Sequence, residues 1–144
     1  MFKILIVDPN VPFRRSLKKV LIGGFPFIDI REASDERGAS AIVQYFSPDL
    51  VFLEMHLPAG NGLDLARRLK STHPDIIIVI LTSYNLPEYQ SAAAESGIAH
   101  LVPKDDWTGK DIMDLVHAIL SDLDIKVPNS ADRHHPQQYT PQTS

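Results

Sequence analysis

The chain has no cysteine among its 144 residues, which excludes disulfide scaffolds, thiolate metal centres and thiol nucleophiles together. It also lacks a basic excess: 14 Lys and Arg stand against 18 Asp and Glu, a net charge of -4, so direct nucleic-acid binding and attachment to anionic lipid are not expected. Long apolar runs are missing too. The N-terminal MFKILIV meets Asp8 and Pro9 too soon for a membrane span or a signal peptide, and the expectation is a soluble, cytoplasmic protein. The first apolar run is followed by "DPNVPFR", which has neither the glycine-rich loop of a nucleotide site nor the Ser/Thr-rich loop that a flavin phosphate would require.

What is present is 44% hydrophobic residues, enough for one domain with a core and too short a chain for two comfortable ones. Five short apolar runs, at 3–7, 27–31, 50–53, 76–81 and 100–102, are rich in Ile, Val, Leu and Phe and read as strands. The first, third and fourth are nearly unbroken apolar, as a central parallel sheet covered on both faces requires.

Helical patterns alternate with them. Asn10 caps a first helix with Pro12 in its opening turn and Gly23 and Gly24 at its end; a second runs over 35–46 and stops at Ser47-Pro48. A third covers 62–72, and a fourth covers 87–96, with the small residues Ala92 to Ala94, and ends at Gly97. A last helix starts at Thr108 with Asp111 three residues on. Five alternations predict a doubly wound α/β fold, with chemistry at the carboxyl ends of its strands. After residue 123 the composition turns to Pro, Gln, Ser and Thr, so 1–123 reads as the domain and 124–144 as a disordered tail or linker.

The strand ends put a short list of groups at one edge: Asp8, Glu54, Thr82 with Ser83, and Lys104. The stretches "ILIVDPN", "PDLVFLEMHLPAGNGL", "IIIVILTSY" and "GIAHLVPKDD" carry them in order. That set resembles the receiver domain of two-component response regulators over about residues 3–122. The resemblance implies a flavodoxin-like (βα)5 fold with strand order 2-1-3-4-5 and a regulatory module in place of an enzyme.

Carried over residue by residue, it implies a phosphoacceptor position at Glu54, a phosphoryl pocket of Thr82, Ser83 and Lys104, and metal ligands from Asp8, Glu54 and the backbone carbonyl of His56. Thr82 and Leu101 would be the switch positions. The departures are specific. The acceptor is Glu where the family has Asp, Pro9 stands where a second acid would hold metal, and Leu101 replaces an aromatic ring. Asp105 replaces a proline common after the lysine.

Glu carries its carboxylate roughly 1.5 Å further from the backbone than Asp, while a misplacement of about 1 Å can cost a hundredfold in phosphoryl transfer. Magnesium demands near-octahedral oxygen geometry, so the Mg2+ site is expected to be weakened. The expectation is therefore a pseudo-receiver in which Glu54, within reach of Thr82 and Lys104, stands in for a phosphorylated acceptor or fixes one switch-less conformation. The alternative is a working Mg2+-dependent phosphoacceptor with an unusual site.

The expected partners are signalling proteins, a kinase or an output domain, and a second copy through the fourth helix, fifth strand and last helix. Plainer roles compete at individual residues: Asp8 as a turn former, Lys104 as a structural ion pair with Asp105, Asp106 or Glu54, and Trp107 as a lid over the last helix. His134 and His135 are adjacent but have no carboxylate or cysteine company, so no zinc-like spacing exists. An aspartyl phosphotransferase of the haloacid dehalogenase type would need an Asp at the position of Asn10.

Overall fold

The computed structural model describes residues 1–84 and 86–123. The tail expected over 124–144, with His134 and His135, lies outside the described residues.

The strands are β1 Phe2–Val7, β2 Ile28–Ala33, β3 Leu50–Glu54, β4 His56–Leu57, β5 Gly60–Asn61, β6 Ile77–Thr82 and β7 His100–Pro103. The helices are α1 Val11–Gly24, α2 Glu36–Phe46, α3 Gly62–Thr72, α4 Pro87–Glu95 and α5 Gly109–Asp122. Five strands form one parallel sheet in the order β2-β1-β3-β6-β7, which is the expected 2-1-3-4-5 once the short β4-β5 hairpin is set aside.

That hairpin is absent from the sequence reading. Its two-residue strands pair His56 with Asn61 and Leu57 with Gly60, too short to leave a periodic signal.

The central strands are buried on both faces and alternate between two cores. Leu5, Val7, Val51, Leu53, Ile78 and Ile80 meet Val43 of α2 and Leu65, Ala66 and Leu69 of α3. Ile4, Ile6, Leu50, Phe52, Val79 and Leu81 meet Leu17 and Leu21 of α1 and Val116 and Ile119 of α5. A side-chain period of two is what sends neighbours to opposite faces.

Sequence-level caps form as expected. Asn10 accepts from the Phe13 N–H at 3.0 Å. Thr108 and Asp111 make a reciprocal capping box; Asp35, expected as the first residue of the second helix, is instead its cap and accepts from the Gly38 N–H at 2.8 Å. Gly23 and Gly24 sit inside the last turn of α1, and the chain leaves the helix at Phe25. Gly97, at φ +76°, takes the left-handed conformation that ends α4.

Candidate functional site

Chain order sends β1 to β2 on one side and places β3 on the other, so the strand direction of winding reverses between β1 and β3. A crevice at the carboxyl ends of such strands is where doubly wound sheets bind ligands. Register fixes what stands in it. Val7 pairs with Leu53, so Asp8 and Glu54 follow side by side; Thr82 pairs with Pro103, so Lys104 comes next, its N–H bonded to the Thr82 carbonyl at 2.7 Å.

Asp8, Pro9, Asn10, Glu54, His56, Ser83, Tyr84 and Lys104 line one open cleft of about 690 Å³. Asp8 and Glu54 are nonetheless nearly buried, with side chains only 1% and 7% exposed. Ionised groups so placed require partners. The Lys104 ammonium supplies them, 2.6 Å from Asp8 Oδ2 and 2.5 Å from Glu54 Oε1. Asp8 Oδ2 has no hydrogen-bond partner, so that contact is one of charge.

The other two oxygens turn to backbone donors: the Asn10 N–H donates to Asp8 Oδ1 at 2.8 Å and the His56 N–H to Glu54 Oε2 at 2.8 Å. All four carboxylate oxygens are therefore engaged.

Two neighbours hold this arrangement. The Phe13 ring lies 4.4 Å from Lys104 Nζ, a cation–π contact that adds to the two carboxylates around the ammonium. Gly62 brings its backbone against the end of β3: its N–H donates to Met55 O at 2.6 Å, and a Cβ there would fall 2.2 Å from Glu54 O. Only glycine fits that approach.

Thr82 departs from expectation. Its buried hydroxyl donates to Tyr84 O at 3.1 Å and accepts from the Tyr84 N–H at 3.0 Å, closing a local turn in place of a bond to Glu54. Ser83 is exposed in the cleft. Leu101 is half-buried and packs, with Tyr89 and Ala92 of α4, against the core on the α2–α3 face of the sheet. Lys104 ignores Asp105 and Asp106, which are exposed.

Sequence reading missed the aromatic groups near the cleft. The His56 ring stands edge-on to Tyr84 at 5.3 Å and to Tyr89 at 6.0 Å, tying the β3–β4 turn to the start of α4. Phe13 could have been found from its place three residues after the Asn10 cap, on the first turn facing the strand edge. Trp107 is half-buried against Phe52, with ring centres 6.2 Å apart, as a lid would be.

The residues present do not fit a divalent cation. Such an ion wants several free oxygen donors in octahedral array. Here Pro9 offers no side-chain oxygen, and both carboxylates are committed to Lys104 and to backbone N–H groups. No group of three acidic, His or Cys side chains suited to a metal occurs among the described residues.

With this geometry in view, the comparisons with known proteins are specific. A family model described as "Response regulator receiver domain" matches residues 4–117. The chain is 39% identical over 106 residues to the DNA-binding transcriptional activator DevR/DosR of Mycobacterium tuberculosis, covering 73% of this chain and 48% of that protein. It spans less than half the length of the curated relatives it matches. Among solved structures, a two-component response regulator from Clostridium difficile superposes with a TM-score of 0.79 at 27% identity, covering 85% of this chain and 98% of that one. A CheY-like receiver domain protein from Methanospirillum hungatei gives 0.78 at 18% identity, over 86% and 97% of the two chains.

Proposed function

We propose a function from the premise that this chain belongs to the response-regulator receiver domain family: it is a signalling module of a two-component system that works through protein contacts without being phosphorylated. One observation carries the reading. The carboxylate at the acceptor position, Glu54, is fully engaged by Lys104 and the His56 N–H, and so is not presented to an incoming phosphoryl group.

Phosphoryl transfer asks the protein for positioning and charge neutralisation above all. Asp8, Glu54 and Lys104 together leave one net negative charge in the cleft, which opposes a phosphate donor. The switch positions point the same way. Thr82 is held by Tyr84, and Leu101 has no polar tip to exchange between pocket and solvent.

The contact surface in this reading is the face formed by α4, β7 and α5. Tyr84, in the cleft, and Leu86, just before α4, are 58% and 41% exposed, and Ala94 is exposed near the far end of α4. A signalling protein, a kinase or an output domain, or a second copy of the chain, would dock there. The relatives' greater length favours an output domain, since the region matched in them is under half of each protein.

Hydrogen exchange tests the reading. With a small acyl-phosphate donor and Mg2+ added, protection of α4, β7 and α5 is expected to stay as it was. A coordinated change across that face on adding the donor would overturn it.

A further inference from the structure

Two acids, one ammonium and one proline at the β1–β3 edge make a pocket with its own cation. We propose that Lys104 is the resident counter-ion of this pocket, occupying the electrostatic place of a divalent metal and keeping the native chain from binding one. The inference deepens the reading of the site as phosphorylation-independent, and the two fail separately. Metal binding by the native chain overturns the counter-ion, and phosphoryl gain overturns the other.

Geometry fixes the ammonium at the focus of the pocket, 2.6 Å from Asp8 Oδ2 and 2.5 Å from Glu54 Oε1. The ammonium itself lies over the Phe13 ring at 4.4 Å, the Lys104 N–H donates to Thr82 O at 2.7 Å, and the side chain is 11% exposed. Little freedom is left for it to swing away.

The extra methylene of Glu54 matters here. It lets one carboxylate reach Lys104 with Oε1 while Oε2 turns back to the His56 N–H. With Asp8 Oδ1 taken by the Asn10 N–H, Asp8 Oδ2, which has no hydrogen-bond partner, faces the ammonium alone, so a metal would have to take that oxygen from Lys104.

Pro9 completes the case by charge. An acid at that position would leave the pocket at two net negative charges beside Lys104 and so still attractive to a dication. With proline, one remains. A divalent ion using the same oxygens would have to lie against the ammonium or expel it, at a cost in repulsion or in desolvation of unpaired charge.

The test uses the native chain and Lys104→Met, which removes the charge and keeps an apolar stem. In heteronuclear NMR of the native chain, Mn2+ is expected to leave the Lys104 side-chain signals unbroadened, and calorimetry is expected to give no saturable binding. Lys104→Met is expected to melt low in EDTA and to rise by several degrees in millimolar Mg2+, as a ligand that binds only the folded state requires. Folding only in the presence of Mg2+ supports the proposal equally. Saturable Mn2+ binding that broadens Lys104 in the native chain overturns it, and so does a folded Lys104→Met whose midpoint ignores Mg2+. Should Lys104→Met fail to fold in both buffers, the native NMR measurement decides alone.

Discussion

Glu54 reaches two partners because it is one methylene longer than Asp, and that reach defines the site. Its burial makes the ammonium indispensable: replacing Lys104 by Met leaves two nearly buried carboxylates without a cation. In metal-free buffer this substitution is expected to cost about 3–5 kcal/mol, the range for a buried pair that loses one member. Urea denaturation would measure it, and a loss below about 1 kcal/mol would mean that the pair is effectively solvated.

Gly62 is the other exacting position. Gly62→Ala puts a Cβ 2.2 Å from Glu54 O, against backbone that cannot yield as a side chain would. About 1–3 kcal/mol of destabilisation is expected from the forced shift, with the Glu54 carboxylate displaced along with it. An unchanged midpoint would show that the β3 end is more pliant than its contacts indicate.

At this scale Asp8, Glu54 and Lys104 were legible, because each directly ends or follows an apolar run and a parallel sheet brings such positions to one edge. Thr82 was legible in place but not in bonding. A hydroxyl two residues before an available N–H and C=O competes locally, and nothing in the spacing says that Tyr84 wins over Glu54.

Elements show a different pattern of success. β2 starts one residue and ends two residues later than the apolar run at 27–31, since it is an edge strand in which Arg31 is exposed and Glu32 pairs with Arg14 and Lys18 of α1. Apolar runs mark strands covered on both faces and undercount edges. Caps did better, as they are local chemistry. Thr108→Ala removes half of the α5 capping box and is expected to cost about 1 kcal/mol, with the denaturant midpoint lowered and the slope unchanged.

Glu32 joins β2 to α1 through Arg14 at 2.9 Å and Lys18 at 3.2 Å. Burial works to raise its carboxyl, but the hydrogen bonds and charges of Arg14 and Lys18 prevail and hold it below the ordinary value of 4.5. A depressed carboxyl stabilises the fold fully above its unfolded value and loses that contribution as pH falls through the folded value. Native protein is therefore expected to exceed Glu32→Gln in stability at neutral pH, with the gap closing below about pH 4.5. A gap that persists in strong acid would place the effect in packing instead of charge.

At the scale of the whole molecule, alternation of strand and helix determined the topology, because each buried strand needs helices on both faces and right-handed crossovers leave few ways to supply them. No described helix is long and apolar enough to cross a membrane. What alternation cannot supply is the state of the site. The fold is common to the family, and the reading proposed above rests on Pro9, Glu54 and Leu101, which stand where the resemblance implies an acid, an Asp and an aromatic ring.

The most direct measurement is the intact mass of the chain after incubation with a small acyl-phosphate donor and Mg2+, run beside the double variant Pro9→Asp with Glu54→Asp. The account predicts that the native chain stays unmodified while the double variant, with its metal ligand and acceptor length restored, gains one phosphoryl group. A native chain that gains a phosphoryl group at Glu54 or a neighbouring hydroxyl would contradict it and make this a working phosphoacceptor.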